Sequence, residues 1–356
     1  MRKLIPLLLV LCMLLCGCQD WMDGNYLKVV PRKEPASQSA QPTITIYSYS
    51  QLYSALAEQI ASGAQDVFLA FNLGNDALAK TNLDSAIQQL FQENPFTIYA
   101  VEDITYQFGS NIGRNTAVVS IAYQRNRVEI PKIQRVADIA QAKEYIASQL
   151  KACAAGLVMY LEDATQADYV QLVADYAAAY PQYVIELPEV TVSQYPESGS
   201  KRVIELRFSY QTSRESLRTM QARVQPVFAS AALVAQNPGT TEEKLSQLYA
   251  LLMERFAEYE LQTSITPAYS LLLHGVGDAR AFASVYAAMC REAGLTCDLI
   301  AGTRQGTPWV WNVVQTDIGY YHLDLLQCSA EGLFSLRSSS GMSGYVWDYS
   351  AYEIAP

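Results

Sequence analysis

Two histidines, His274 and His322, are the whole stock of imidazole in this chain. Acid–base work near neutral pH falls most often to histidine, so this scarcity bounds the catalytic arrangements open to it. His322 precedes Asp324 by two residues, a spacing that on a strand sends both side chains to one side. Beyond the N-terminal region the thiols are Cys153, Cys290, Cys297 and Cys328, without CxxC spacing. With two histidines, that pattern leads us to expect no structural zinc site and no other metal. There is neither an HExxH nor a Gly-rich phosphate loop, and no cofactor is expected. Paired carboxylates can cleave glycosides at a suitable separation, but the sequence places no such pair.

The elements that must position these residues fall into three sets. Apolar alternation predicts a strand at 43–49, a helix at 51–62, a strand at 67–71 and a helix at 83–91. A long strand at 96–108, a second at 116–125 and a helix at 133–150 follow. The order then recurs: strand 157–161, helix 167–179, paired strands 183–195 and 201–211, helix 214–235. Pro95 and Pro181 close the two short helices at an offset of 86, and Asn94-Pro95-Phe96-Thr97-Ile98 corresponds to Tyr180-Pro181-Gln182-Tyr183-Val184. We read two copies of a β-α-β-β-α unit, each with helices on one face of a small antiparallel sheet. The third set has a long amphipathic helix at 241–262, a short segment from Pro267 to the turn at Gly275–Gly277, and a helix over 279–293 ended by Gly294. Strands at 296–301, 309–315 and 320–325 complete it, with Cys328 in a following loop and a short aromatic strand at Tyr345–Tyr349. Cys290 and Cys297 are near enough for a disulfide; buried free thiols are the other reading.

The chain has 356 residues, half of them hydrophobic, which at roughly 100–200 residues per domain allows two or three packed domains. Its 25 Lys+Arg against 35 Asp+Glu give a net charge of −10, which argues against nucleic acid as a partner. Arg2 and Lys3 precede an apolar run over 4–15 that is shorter than the roughly 20 residues of a membrane-spanning helix. Basic, then apolar, then small is the order of an export signal. Leu15-Cys16-Gly17-Cys18 resembles a bacterial lipobox, with Cys18 as the lipid-attachment thiol. Residues 1–17 are thus expected to be a lipoprotein signal peptide and 18–41 a flexible tether. Residues 42–152 and 153–237 are the two repeat units, and 238–356 the C-terminal domain. The expected location is outside the cytoplasm, lipid-anchored to the outer face of the cytoplasmic membrane or to the outer membrane.

Residues 240–330 resemble the bacterial transglutaminase-like family of the papain-like cysteine-protease superfamily. The resemblance is carried by Ala268-Tyr269-Ser270-Leu271-Leu272-Leu273-His274-Gly275-Val276-Gly277-Asp278-Ala279, by Ala293-Gly294-Leu295-Thr296-Cys297, by Trp309-Val310-Trp311-Asn312 and by Tyr320-Tyr321-His322-Leu323-Asp324. It implies an α+β, papain-like domain with a helix packed on an antiparallel sheet. It also implies a nucleophilic cysteine at the start of that helix, a base in a His-Ala-Trp-Asn motif and an orienting aspartate. In this register the cysteine position holds Ala279 and the base position Trp309; only Asp324 keeps its identity. Ala279 offers no nucleophile, and an indole N–H donates but cannot act as a base. Cys290 lies on the same helical face but about 16 Å along the axis, too far to substitute.

The expectation is therefore a degenerate, non-catalytic domain on a cell-surface lipoprotein, binding an envelope protein, peptide or cell-wall glycan. Asp278, Trp309, Trp311 and His322 are its candidate binding residues. An indole at 309 could anchor a ligand or fill the volume a histidine leaves. The alternative is an envelope hydrolase or peptidase whose site is rebuilt or displaced, drawing on Asp324 with His322 and His274, or on carboxylates near the cleft such as Asp278. A groove floored by Ala279 and walled by Trp309 would favour binding.

Overall fold

The computed structural model describes residues 42–72, 76–111, 114–164, 167–255 and 266–350. The signal peptide and the whole tether, Cys18 included, lie outside them, as does the expected end of the 241–262 helix. Among the described residues no helix is long and apolar enough to cross a membrane.

The first unit runs β1 (Ile44–Ile46), α1 (Tyr49–Ala61), β2 (Asp66–Phe71), α2 (Asp76–Glu93), α3 (Pro95–Ala100), β3 (Val101–Asn111) and β4 (Arg114–Tyr123). The second runs β5 (Gln134–Val136), α4 (Ile139–Lys151), β6 (Gly156–Leu161), α5 (Tyr169–Ala179), β7 (Glu189–Tyr195) and β8 (Arg202–Ser209). Their sheets have the same order, β1-β2-β4-β3 and β5-β6-β8-β7, each with one parallel pair at the short edge strand. These are two mixed four-stranded sheets built by one duplicated unit.

The duplication reaches individual residues. Ser48 caps α1 by accepting from the Gln51 amide, while the Gln51 side chain accepts from Tyr47 N. Ninety positions on, Asp138 caps α4 by accepting from the Gln141 amide, and the Gln141 side chain accepts from Ala137 N. Leu52, Leu56 and Ile60 bury one stripe of α1, and Ala142, Ile146 and Leu150 the same stripe of α4. Each helix is followed by a left-handed residue, Gly63 at φ 74° and Cys153 at φ 47°. At Gly63 a Cβ would stand 2.3 Å from the Arg127 carbonyl oxygen, so glycine is required there.

The structure redraws several elements. Residues 95–100 form α3 where a strand was expected, because Asn94 Oδ1 accepts from the Thr97 amide at 2.9 Å and Pro95 fills the first turn. The expected helix from 133 divides into β5 and a helix capped at Asp138. Three-residue strands leave too little periodicity to detect. That helix, placed in the first unit from sequence, packs with β5 and β6 in the second unit's core. The strand expected from Tyr183 begins only at Glu189, after a turn in which the Tyr183 and Val184 amides donate to the Tyr180 carbonyl.

The units stack head to tail. Phe96 and Tyr99 of the first unit meet the outer face of the second sheet, with ring centroids 5.0 Å from Tyr160 and 5.3 Å from Tyr195. The second unit's equivalent turn meets the C-terminal region: Gln182 Nε2 donates to Glu292 at 3.0 Å, and Arg291 lies 4.7 Å over the Tyr180 ring.

The C-terminal region contains α6 (Arg214–Val234), α7 (Thr241–Met253), α8 (Pro267–His274) and α9 (Ala279–Glu292). It continues with β9 (Cys297–Arg304), β10 (Thr307–Thr316), β11 (Gly319–Leu323), α10 (Leu325–Glu331) and β12 (Tyr345–Val346). The sheet β11-β10-β9-β12 is antiparallel throughout. Helix α9 is buried on nearly all sides, from Ala279 to Cys290, as expected of a helix rich in alanine and large apolar residues. Tyr286 at its centre donates its hydroxyl to the Leu245 carbonyl at 2.7 Å. Cys328 lies on α10 rather than in a loop, because Asp324 caps a helix there.

Candidate functional site

The alternation of β10 divides the site in two. Val310, Asn312 and Val314 face α9, and Asn312 Nδ2 donates to the Ala283 carbonyl at 2.9 Å. Trp309, Trp311 and Val313 face a separate aromatic cluster closed by Met342, Tyr345 and Trp347 from the C-terminal segment. Strand β12 lies along the edge of β9, with Tyr345 opposite Arg304. Gly302 permits this approach: a Cβ there would stand 2.2 Å from the Val346 oxygen and 2.9 Å from the Trp311 ring.

Ala279 begins α9 and is buried; Asp278 before it is exposed and caps the helix through the Ala281 amide at 2.8 Å. The space beside Ala279 is lined by Phe282, Val310, Asn312, Asp324 and their neighbours and does not admit a water molecule. Trp309 is not among its lining residues, so among the described residues the space beside Ala279 is not an open groove walled by Trp309.

Asp324 is 4% exposed and fully engaged. One carboxylate oxygen accepts from the amides of Leu326 and Gln327, both at 3.1 Å, capping α10. The other accepts from the Trp309 indole N–H at 2.8 Å and the Tyr345 hydroxyl at 2.6 Å, with Arg304 Nη1 3.8 Å away. Arg304 in turn lies over the Trp309 and Tyr345 rings, at 5.2 and 5.6 Å. Four hydrogen bonds and a nearby guanidinium make burial of this charge tolerable. Tyr345 was visible in the sequence only as part of an aromatic tail, and nothing in the pattern marked Arg304.

His322 is wholly buried behind Trp311, whose indole N–H donates to His322 Nδ1 at 3.0 Å. Its Nε2 stands 3.5 Å from the Ser339 hydroxyl, and its ring lies 4.6 Å from that of Trp347. Burial depresses its pKa to about 4, so the ring is neutral at pH 7 with its proton on Nε2. His274 ends α8, half-buried before the left-handed Gly275.

Cys153, Cys290, Cys297 and Cys328 are buried free thiols. Burial and the neighbouring Cys290 push the Cys297 thiol well above the usual range; burial also raises those of Cys328 and Cys153. Buried thiols with raised pKa values are poor nucleophiles. Among the described residues no group of three or more His, Cys, Asp or Glu could hold a metal.

Residues 229–325 match the family model of the transglutaminase-like superfamily. A solved structure described as a TGase is similar to the chain at 8% identity and a TM-score of 0.26, over 58% of this chain and 60% of its own. A candidate protease from Parabacteroides distasonis is similar at 9% identity and a TM-score of 0.19, over 73% of this chain and 43% of its own. The chain thus spans about three fifths of the first structure and less than half of the second. No curated protein matches the chain. The C-terminal region of the chain carries a transglutaminase-like superfamily domain.

Proposed function

We propose that this chain is an exported, lipid-anchored bacterial envelope protein whose transglutaminase-like domain binds an envelope protein, peptide or glycan without catalysing acyl transfer. The reading is carried by the engagement of Asp324. An orienting carboxylate works by holding a base's imidazole. Here its outward oxygen is held by an indole and a phenol, and a methyl group begins the helix where a thiolate would stand. The indole at the base's position cannot accept a proton and return it during turnover, and the methyl group at the start of the helix offers no nucleophile.

The pairing of Trp309 with Asp324 makes the indole a fixed, half-buried element of the cluster. Ligand contact on this domain then falls to exposed side chains such as Val346 and Tyr349 of the C-terminal segment rather than to a deep groove. The hydrolase alternative would draw on His322, yet that ring is buried against Trp311 and Trp347, its Nδ1 is taken up by the Trp311 N–H, and the nitrogen that faces the Ser339 hydroxyl at 3.5 Å carries the proton and so donates rather than serving as a base.

The test is restoration. Ala279→Cys with Trp309→His is expected to yield a thiol that labels with iodoacetamide, while neither single variant does. Amide turnover by the unaltered chain would overturn the proposal. The anchor is tested separately by metabolic incorporation of palmitate, expected to be lost in Cys18→Ala; label that persists in the variant would refute Cys18 as its site.

A further inference from the structure

The connection between the repeat units, residues 124–133, crosses the outer face of the second sheet and leaves a cleft of about 580 Å³ beneath it. That volume is in the range of small-ligand sites, and apolar walls with a few convergent polar groups are their usual composition. Ile130, Ile133 and Val158 supply apolar wall, and Tyr99 and Tyr145 supply rings. The charged groups are Arg125, Arg207, Lys132, Glu129 and Glu205, three cations against two carboxylates on a chain whose net charge is −10.

Glu205 explains where the excess charge sits. Its side chain is 11% exposed, and it serves two guanidiniums at once: Arg125 Nη2 at 3.0 Å and Arg207 Nη2 at 3.1 Å. One carboxylate neutralises one of them. Arg125 is fixed further by lying 5.0 Å over the Tyr99 ring. Arg207, whose side chain is 63% exposed, gives Nε and Nη2 to the same Glu205 oxygen and keeps Nη1 for another acceptor. Lys132 pairs with Glu129 at the rim, a solvated pair that exchanges readily with an incoming anion.

We propose that this inter-repeat cleft binds an apolar carboxylate of dipeptide size, its carboxylate on Arg207 and its apolar groups against Ile133 and Val158. Planar guanidinium is the donor best matched to such an acceptor. The site is independent of the transglutaminase-like domain and of that domain's lack of catalytic groups.

The experiment is calorimetric titration of the full chain with N-acetyl-Phe-Ala and with its C-terminal amide, at low ionic strength and up to millimolar concentrations. The acid is expected to bind saturably, and the amide about tenfold or more weakly, the loss of one charge-assisted contact. Arg207→Gln is expected to weaken the acid by a similar factor and to abolish the difference between acid and amide. Arg218→Gln, on α6 outside the cleft, is expected to leave both unchanged. Unaltered melting of Arg207→Gln would show that the loss is local. Absence of saturable binding, equal affinity for acid and amide, or an equal effect of Arg218→Gln would each overturn the proposal.

Discussion

Replacing His322 by glutamine should remove a specific part of the protein's acid sensitivity. In the folded chain the buried ring accepts the Trp311 N–H on Nδ1 and is enclosed by Trp347, so a second proton on Nδ1 would face that N–H away from solvent. Its pKa falls from 6.5 to about 4. Above pH 6.5 the ring is neutral in both folded and unfolded chains and contributes its full packing. As pH falls from 6.5 towards 4 the unfolded chain takes up a proton that the folded chain refuses, and stability declines. At 1.36 kcal/mol per unit the decline is about 3 kcal/mol. Acidic groups titrate in both proteins and cancel in the difference. Urea unfolding followed by tryptophan fluorescence suits the measurement, because Trp309, Trp311 and Trp347 all lie in this region. The stability difference between the native chain and His322→Gln should shrink by about 3 kcal/mol between pH 7 and pH 4. A difference independent of pH would refute the neutral, buried ring.

Two further substitutions probe the same region. Asp324→Ala removes the acceptor for the Trp309 and Tyr345 side chains and the cap of α10, and should cost about 3–5 kcal/mol in urea unfolding. A cost under about 1 kcal/mol would mean that these bonds are replaced by water. Gly302→Ala drives a methyl group into the Val346 carbonyl and the Trp311 ring, and should release β12 from the sheet edge. Limited proteolysis should then cleave within 338–350 at a protease concentration that leaves the native chain intact, and equal resistance would show that the segment is held elsewhere.

Much of this architecture is written in periodicity, and the omissions have physical causes. The stripes of α1 and α4 and the apolar run of α9 are long enough to show a helical period, and Gly294 marks the end of α9. Strands β1 and β5 span three residues each and pair only at a sheet edge, so their local pattern is too short to read. The duplication was legible through Pro95 and Pro181, yet the two N-terminal halves align ninety positions apart. Matching the Ser48 and Gln51 cap to that of Asp138 and Gln141 would have placed the second unit's start correctly. Of the candidate site, Trp309 and Asp324 could be set in one motif register, and the structure brings them within 2.8 Å. Tyr345 and Arg304 reach the same carboxylate through strand pairing of a distant tail, a tertiary contact with no local signature. The burial of His322 likewise depends on Trp347, which arrives from that tail.

The central claim is that the mouth of α9 holds no reactive group. Its most direct test is iodoacetamide labelling of the native full chain at neutral pH with peptide mass mapping, beside an assay for amine release from a glutamine-containing peptide. No label at Cys153, Cys290, Cys297 or Cys328 and no amine release are expected. Label at any of these four that competes with the peptide and tracks amine release would contradict the claim.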